Sequence, residues 1–430
     1  MNKRRLGCWL KGALVLACLL LISQTPFIYH RYQLGRLAAT IQQLNAQRVV
    51  TTDDAYADYK GALHVHSSLG GHSTGTLAEI IQGARANALA YIVMTEHPAA
   101  DMDTAAQTLS GMHGGVLFIA GNETSESQQD HLLTFDGKTT EAANTHAVAA
   151  DQNTSTPAGG NNLTTQELID RAKRAGQLVF IAHPEMFSSW QTARGFDGME
   201  IYNLHANAKQ INRLSLFFDG LWSYRSYPQL LWTRFYETPT ENLQHWDELT
   251  AHEGRRVVAI AANDAHANVG LSLQELTGRP ILQIKLDPYE RSFQVVRTHV
   301  LLDKTQSLNA DTLLSALAAG HAYVSFDLLC DASGFRLTAD NGQEQRLMGD
   351  EILLHDGVRM HVKTPVDCQI ALIKDGRRFD EARGTEHEWM VKEPGVYRVE
   401  CYLPQLPAPL NEKPWLISNP IYVRALTSLD

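Results

Sequence analysis

The chain has 430 residues, 44% of them hydrophobic, which is enough for a large core and for two domains. A formal net charge of -10 excludes a basic nucleic-acid-binding surface, and because no long run of one sign occurs, the acidity reads as a solvated exterior. Five cysteines without a Cys-x-x-Cys pair exclude zinc-finger and thioredoxin-like motifs; Cys368 and Cys401 are the two that could pair outside the cytoplasm.

At the N-terminus, Lys3-Arg4-Arg5 precedes an apolar run from Leu6 to Ile28 that Lys11 interrupts, with a continuous core from Gly12 to Ile22. That core alone falls short of the about 20 residues a spanning helix needs. Lys11 can snorkel to the cytoplasmic interface, with Trp9 in the headgroup belt there and Phe27 and Tyr29 in the opposite one. A cleaved signal peptide is the competing reading, but Gln24-Thr25-Pro26-Phe27 makes a poor cleavage site. Val15-Leu16-Ala17-Cys18 resembles a lipobox, except that the apolar run continues past Cys18. The run therefore predicts an uncleaved anchor over residues 1–30. The positive-inside rule places its N-terminus in the cytoplasm and the rest of the chain outside, in the periplasm if the source is bacterial. Leu34, Leu37, Ala38, Ile41 and Leu44 recur at helical spacing and predict a juxtamembrane helical stalk over 31–58.

From Tyr59 onward, strand-like apolar runs alternate with amphipathic helical stretches. Strands are predicted over 62–65, 91–95, 116–120, 132–135, 178–182, 198–202 and 257–261. Helices are predicted over 77–87, from the capping box Thr164-Thr165-Gln166-Glu167 to near Gly176, and over 313–320. The polar stretch from Lys138 to Asn162 reads as a surface loop. This alternation predicts a parallel sheet closed as a barrel over 59–325, in which chemistry belongs at the C-terminal strand ends. Between Leu204 and Gly254 lies an aromatic-rich insertion that includes Phe217, Phe218, Trp222, Trp232 and Trp246; it reads as an inserted lid packed on itself or as an apolar wall for substrate. Past Tyr323 the texture changes to short alternating strands with Gly turns, which predicts an all-β, sandwich-like domain over 326–430.

The strand ends carry the chemistry. His64 and His66 straddle Val65, and on a regular strand that spacing puts both imidazoles on one face; His72 follows in the loop. The next strand ends supply Thr95-Glu96-His97, Gly121-Asn122-Glu123, Asp130-His131, Ala182-His183-Pro184 and Asp264-Ala265-His266. A lone His-x-His is more often a pair of surface histidines. Imidazoles and carboxylates at nearly every strand end of one sheet are instead the donor set of a metal centre. A carboxylate has two oxygens, so Glu123 can bridge two cations, and bridged cations supply hydroxide near neutral pH. Glu200 and Asn203 could orient such ligands, and Arg194 and Arg225 could clamp a phosphate. His113, His146 and His205 read as exposed.

The segments Leu-His-Val-His-Ser at 63–67, Met-Thr-Glu-His at 94–97, Ala-Gly-Asn-Glu at 120–123, Ile-Ala-His-Pro at 181–184 and Asn-Asp-Ala-His at 263–266 resemble, in order, the motifs of the PHP (polymerase and histidinol phosphatase) family. The resemblance covers roughly Tyr59 to Tyr323. The C-terminal part, with Pro-Gly-Val-Tyr-Arg-Val-Glu at 394–400, is similar to the carbaryl-hydrolase-like branch. The resemblance implies a distorted (β/α)7 barrel and metal-dependent hydrolysis, mostly of phosphate esters, at two or three divalent ions (Zn, Mn or Fe). Carried over by position, His64, His66, Glu123 and Asp264 would hold a first ion, Glu123, His131 and His183 a second, and His72, His97 and His266 a third. Glu123 and Asp264 would be the catalytic residues, with Asp264 moving the proton as a metal-bound hydroxide attacks phosphorus. Two positions depart from the family: Glu96 stands where many members have Asp, and Ser73-Thr74-Gly75 where many have Ser-Asp-Gly. The expected partner is a small-molecule ester, phosphorylated, with the membrane as the other. A carboxylic or carbamate esterase on the same site is the alternative, and a metal-holding binding module without turnover the third reading.

Overall fold

The computed structural model describes the chain except residues 1–2, 51–54, 100–101, 126–128, 136–162, 210, 269, 275–279 and 427–430. The polar stretch 138–162 and His146 lie outside the described residues. Helix α1 (Lys3–Ala46) carries the whole N-terminal region as one element, with Pro26 inside it. It is long and apolar enough to cross a membrane, and Leu14 to Ile22 are exposed along it. Farther along, Leu34, Leu37 and Leu44 are buried. The stretch read as a stalk is thus continuous with the apolar run and lies against the rest of the chain on one face.

The elements that follow are β1 (Tyr56–Val65), α2 (Leu77–Ala86), β2 (Tyr91–Met94), α3 (Thr104–Gln107), β3 (Gly111–His113), β4 (Val116–Ile119), β5 (Gly121–Ser125), β6 (His131–Phe135), α4 (Thr165–Arg174), β7 (Leu178–Ala182) and β8 (Gly198–Asn203). Next come α5 (Leu204–Lys209), α6 (Arg213–Ser223), α7 (Thr240–Asp247), β9 (Val258–Ala265), β10 (Gly270–Gln274), β11 (Pro280–Lys285), α8 (Tyr289–Val295), β12 (Arg297–Asp303), α9 (Ala310–Ala319) and β13 (Ala322–Ser325). Capping boxes open α2 at Thr76/Glu79 and α4 at Thr164/Glu167, where the sequence placed helix starts.

The molecule is a mixed α/β structure around one large sheet. Parallel ladders join β1 to β2, β2 to β4, β7 to β8, β8 to β9 and β9 back to β1. The expected all-parallel pattern does not hold throughout: β3 is antiparallel to β4, β1 to β12 and β12 to β13. β5 and β6 form an antiparallel hairpin, and β6 is also antiparallel to β7. The single bridge Glu96–Asn122 links the end of β2 to β5, so these pairings run in a circuit. The strands of the circuit are buried on both sides: Leu63, Tyr91, Val93, Phe180 and Ile260 on one, Ala62, Val65, Ile92 and Phe118 on the other, which explains their continuous apolar composition.

Past Ser325 the described residues hold no α-helix. They form β14 (Arg336–Asp340), β15 (Gln345–Leu347), β16 (Glu351–Leu354), β17 (Val358–Lys374), β18 (Arg377–Val391), β19 (Gly395–Tyr402), β20 (Leu416–Ser418) and β21 (Ile421–Ala425). Not all of these strands are short: β17 runs unbroken over 17 residues, with its register shifting between Lys363 and Cys368 against β18. The ladder does not stop at the expected boundary near 325: β1 pairs β12, β12 pairs β13, and β13 pairs β20. Cys368 and Cys401 are buried free thiols on the neighbouring strands β17 and β19.

Candidate metal centre

The loops leaving β1, β7 and β9 bring the predicted side chains together, but not by regular pleating. His64 (φ 62°), His183 (φ 48°) and Asp264 (φ 47°) all lie in the left-handed region. Non-glycine residues held there cost of order 1–3 kcal/mol each and persist only where their surroundings fix them. The fixing bonds are visible: His66 N–H donates to Ala265 O (3.1 Å), Thr95 N–H to Val65 O (2.9 Å) and His183 N–H to Glu200 Oε2 (3.1 Å). The positive φ at His64 coincides with register shifts against β2 and β9. The two imidazoles of His64 and His66 nevertheless converge, with ring centroids 4.9 Å apart.

Glu123, 2% exposed, lies at the middle of the cluster. Its two oxygens face different histidines. Oε2 is 3.1 Å from His64 Nε2, 3.3 Å from His66 Nε2 and 3.4 Å from His97 Nε2, while Oε1 is 2.8 Å from His131 Nδ1 and 3.4 Å from His183 Nε2. Asp264 divides in the same way: Oδ1 lies 3.6, 3.5 and 3.3 Å from His64, His66 and His266, and Oδ2 lies 3.7 Å from His183. Two donors each about 2.1 Å from one cation stand about 3.0–3.4 Å apart at octahedral to tetrahedral angles, so most of these spacings suit shared ions.

Among the described residues, four trios have candidate ligand atoms within 4.8 Å of one another: His66/His97/His266, His64/His183/Asp264, His64/His66/Glu123 and His205/Asp264/His266. His66 is fully buried with neither ring nitrogen hydrogen-bonded, which a ligated imidazole would resolve. The donor set of imidazoles and carboxylates therefore fits divalent cations. His72 is exposed with its ring 4.7 Å from that of His97, and it belongs to none of the four trios.

Electrostatics follow from this crowding. Burial pushes the Glu123 and Asp264 carboxyls up, but the charge of His64 and the surrounding histidine contacts outweigh it and hold both well below the usual carboxylate range. Burial lowers His97 to about 4 and His266 to about 3, which keeps them as neutral imidazoles, the ligating form. At His183 burial acts downward, yet hydrogen bonds with Glu123 and Glu185 raise it to about 10, so an arriving cation would displace a proton there.

A supporting layer surrounds these groups. Glu200, fully buried, pairs with His64 Nδ1 at 2.5 Å and so leaves Nε2 for the cluster; Asn203 Nδ2 donates to Glu200 Oε2 (3.1 Å). Glu96 is not among the clustered donors. Its carboxylate accepts from Ser67 N–H (3.1 and 3.0 Å) and Thr108 Oγ1 (3.0 Å), tying down the loop after His66. Asp130 accepts from Ser188 N–H (2.7 Å) and Thr165 Oγ1 (2.7 Å), which ties the segment after His183 to the start of β6. Arg194 donates to the Trp190 and Ala193 carbonyls and Arg225 is exposed, so no described contact joins either to a clustered ligand.

His205 is the residue that sequence reasoning missed. It is half-buried, with its ring 5.1 Å from that of His266. Its signal was positional, a histidine two residues past the end of β8, as the other clustered side chains follow their strands. His113, also expected to be exposed, is half-buried and bonded to Ser110 O.

No family model matches the chain, and no curated protein does. Among solved structures, it is similar to a two-domain protein from Bacteroides vulgatus containing a predicted PHP-like metal-dependent phosphoesterase. Identity is 14% and the TM-score 0.39, over 87% of this chain and 98% of that one. A Bifidobacterium adolescentis protein assigned as a metal-dependent phosphoesterase aligns at 14% identity and TM-score 0.24, over 48% of this chain and 87% of its own. An amidohydrolase from Chromobacterium violaceum, with bound sulfate and no metal, aligns at 17% identity and TM-score 0.26, over 51% and 94%.

Proposed function

We propose that the chain is a membrane-anchored, divalent-metal-dependent hydrolase of the PHP type acting on phosphate mono- or diesters outside the cytoplasm. In this reading residues 59–325 are a distorted (β/α)7 barrel, 326–430 a β-domain, and the ligands are those named from the sequence, with His205 beside them. The observation that carries it is the division of Glu123, one oxygen toward His64, His66 and His97 and the other toward His131 and His183. A carboxylate so placed suits two neighbouring cations.

Divalent cations held there would acidify a water near neutral pH and offset the charge of a phosphoryl group. The chain's own residues do the rest. Glu200 fixes the tautomer of His64, and Asn203 steadies Glu200. Three histidines crowd Asp264 Oδ1, whereas Oδ2 has His183 alone among these near contacts; Oδ2 is thus the oxygen free to take the proton of the attacking water.

The carboxylic or carbamate ester reading leans on the β-domain and on the aromatic insertion as an apolar wall, and the insertion gives it little support. Phe218 and Trp222 of the aromatic insertion pack on α1, while Tyr236 and Trp246 are core residues. The test is the full chain in detergent, stripped with chelator, resupplied with Zn, Mn or Fe, and assayed on nitrophenyl phosphate, bis-nitrophenyl phosphate, nitrophenyl acetate and an aryl carbamate. Metal-restored phosphate hydrolysis is expected. Turnover of the carboxylic or carbamate esters alone would favour the alternative, and no turnover with any metal would favour a binding module.

A further inference from the structure

Helix α6 presents an apolar face that no described residue covers. Asn212 caps it, its side chain accepting from the N–H groups of Leu214 and Ser215. At about 100° per residue, Phe217, Leu221, Leu214, Phe218 and Trp222 fall on one contiguous arc, with Asp219 and Ser223 beyond its edge. Asp219 and Ser223 are buried. Leu214, Phe217 and Leu221 are 65%, 63% and 67% exposed, as open as the residues of the apolar run in α1.

The position of α6 along α1 is fixed by several contacts. The Phe218 ring lies 5.3 Å from that of Phe27, and Trp222 Nε1 donates to Gln24 Oε1 at 3.1 Å. Arg31 Nη1 donates to Trp222 O at 2.5 Å, and His30 Nδ1 meets Asp219 Oδ1 at 3.0 Å. These partners, residues 24–31, sit where the apolar run Leu6–Ile28 ends. A run of that length takes up the hydrocarbon thickness of a bilayer, which puts Phe27 at its boundary. Tyr29 and Tyr32, exposed at the same level, are the ring type found in interfacial belts. Phe218 and Trp222 therefore stand at that depth too, and Leu214, Phe217 and Leu221 share their arc.

We infer that α6 is an in-plane interfacial helix: Leu214, Phe217 and Leu221 insert into the headgroup–acyl boundary of the same membrane that α1 crosses, and so fix how the metal-bearing part stands on the bilayer. Such helices bury an apolar face by about 5–10 Å. The inference rests on the anchor reading of α1 and adds a second contact to it.

The experiment uses the full chain in phosphatidylcholine/phosphatidylglycerol vesicles, with Cys8→Ser and Cys18→Ser to remove the two cysteines of α1 and leave the buried Cys330, Cys368 and Cys401. Nitroxide labels are placed singly by Leu19→Cys, Phe217→Cys, Leu221→Cys and Glu388→Cys, the last on exposed β18 as an aqueous reference. Collision with oxygen is compared with collision with a water-soluble nickel chelate. Cys18 and the four labelled side chains are exposed, so folding is not at stake. The expected result is that labels at 19, 217 and 221 collide severalfold more with oxygen than with nickel, and the label at 388 does the reverse. A lipid-like signal at 19 with aqueous signals at 217 and 221 overturns the proposal and leaves the anchor standing. Aqueous signals at all four positions overturn both. Spin–spin broadening at 217 that disappears on dilution with unlabelled chain would assign the face to a second copy and overturn the proposal as well.

Discussion

Glu200→Gln probes the support of the cluster without touching a proposed ligand. The carboxylate serves three groups at once: Oε1 faces His64 Nδ1 at 2.5 Å, and Oε2 accepts from His183 N–H and Asn203 Nδ2, each at 3.1 Å. A glutamine has one acceptor oxygen. If it faces His64, the new NH2 group points at two N–H donors in a fully buried site. If it faces the donors, the NH2 meets His64 Nδ1, whose proton must move to Nε2, the nitrogen 3.1 Å from Glu123. The first arrangement leaves buried donors unpaired at about 1–3 kcal/mol, and the second withdraws a ligand atom. Either way metal affinity should fall about 10–100-fold. The assay is competition against a chromogenic chelator on full-length chain, with activity at saturating metal as companion; excess metal should recover much of it. Unchanged affinity in a variant with the wild-type melting temperature would refute the assigned role of Glu200.

His72→Ala should remove at most one ion per chain and keep partial turnover, because the His72 ring is exposed and touches the cluster only beside His97; full loss of metal would contradict that. His299 is fully buried between Asp58 (2.8 Å) and Asp327 (3.3 Å). Burial lowers its pKa, but the two carboxylates outweigh this and raise it to about 9. From an unfolded value of about 6.5, its contribution is whole below about pH 6.5 and is lost as pH rises through 9, so melting temperature should fall over that range and less so in His299→Gln. Leu37→Ala should cost about 2–5 kcal/mol of stability, read as a lower melting temperature, because Leu37 is 3% exposed; a freely projecting stalk would tolerate it.

The clustering of these side chains was legible because histidines and carboxylates at strand ends leave a pattern of residue types. His64-Val65-His66 and Asp264-Ala265-His266 announce themselves by spacing, and the apolar runs before them by burial on both faces. The backbone route was not legible: left-handed φ at His64, His183 and Asp264 is a product of the neighbouring ladders and carries no local signature. The same holds for β18, Arg377–Val391, which is exposed over most of its length and so lacks the alternation by which strands are read. The β5–β6 hairpin was hidden because Gly121–Ser125 is polar wherever it faces the cluster. Tertiary contacts decided the aromatic insertion. Its composition could not distinguish a lid from a helix laid beside α1, and the pairing of Phe218 with Phe27 spans 191 positions of the chain.

The central claim is that Glu123 joins two ions. Metal content per chain, measured on full-length wild type and Glu123→Gln purified side by side, tests it most directly. The substitution keeps size and one acceptor oxygen but replaces the other with an NH2 group that cannot ligate a cation. The account predicts two or three divalent ions in wild type, about two fewer in Glu123→Gln, and no turnover in the variant. Equal metal content in both, with activity retained, would contradict it.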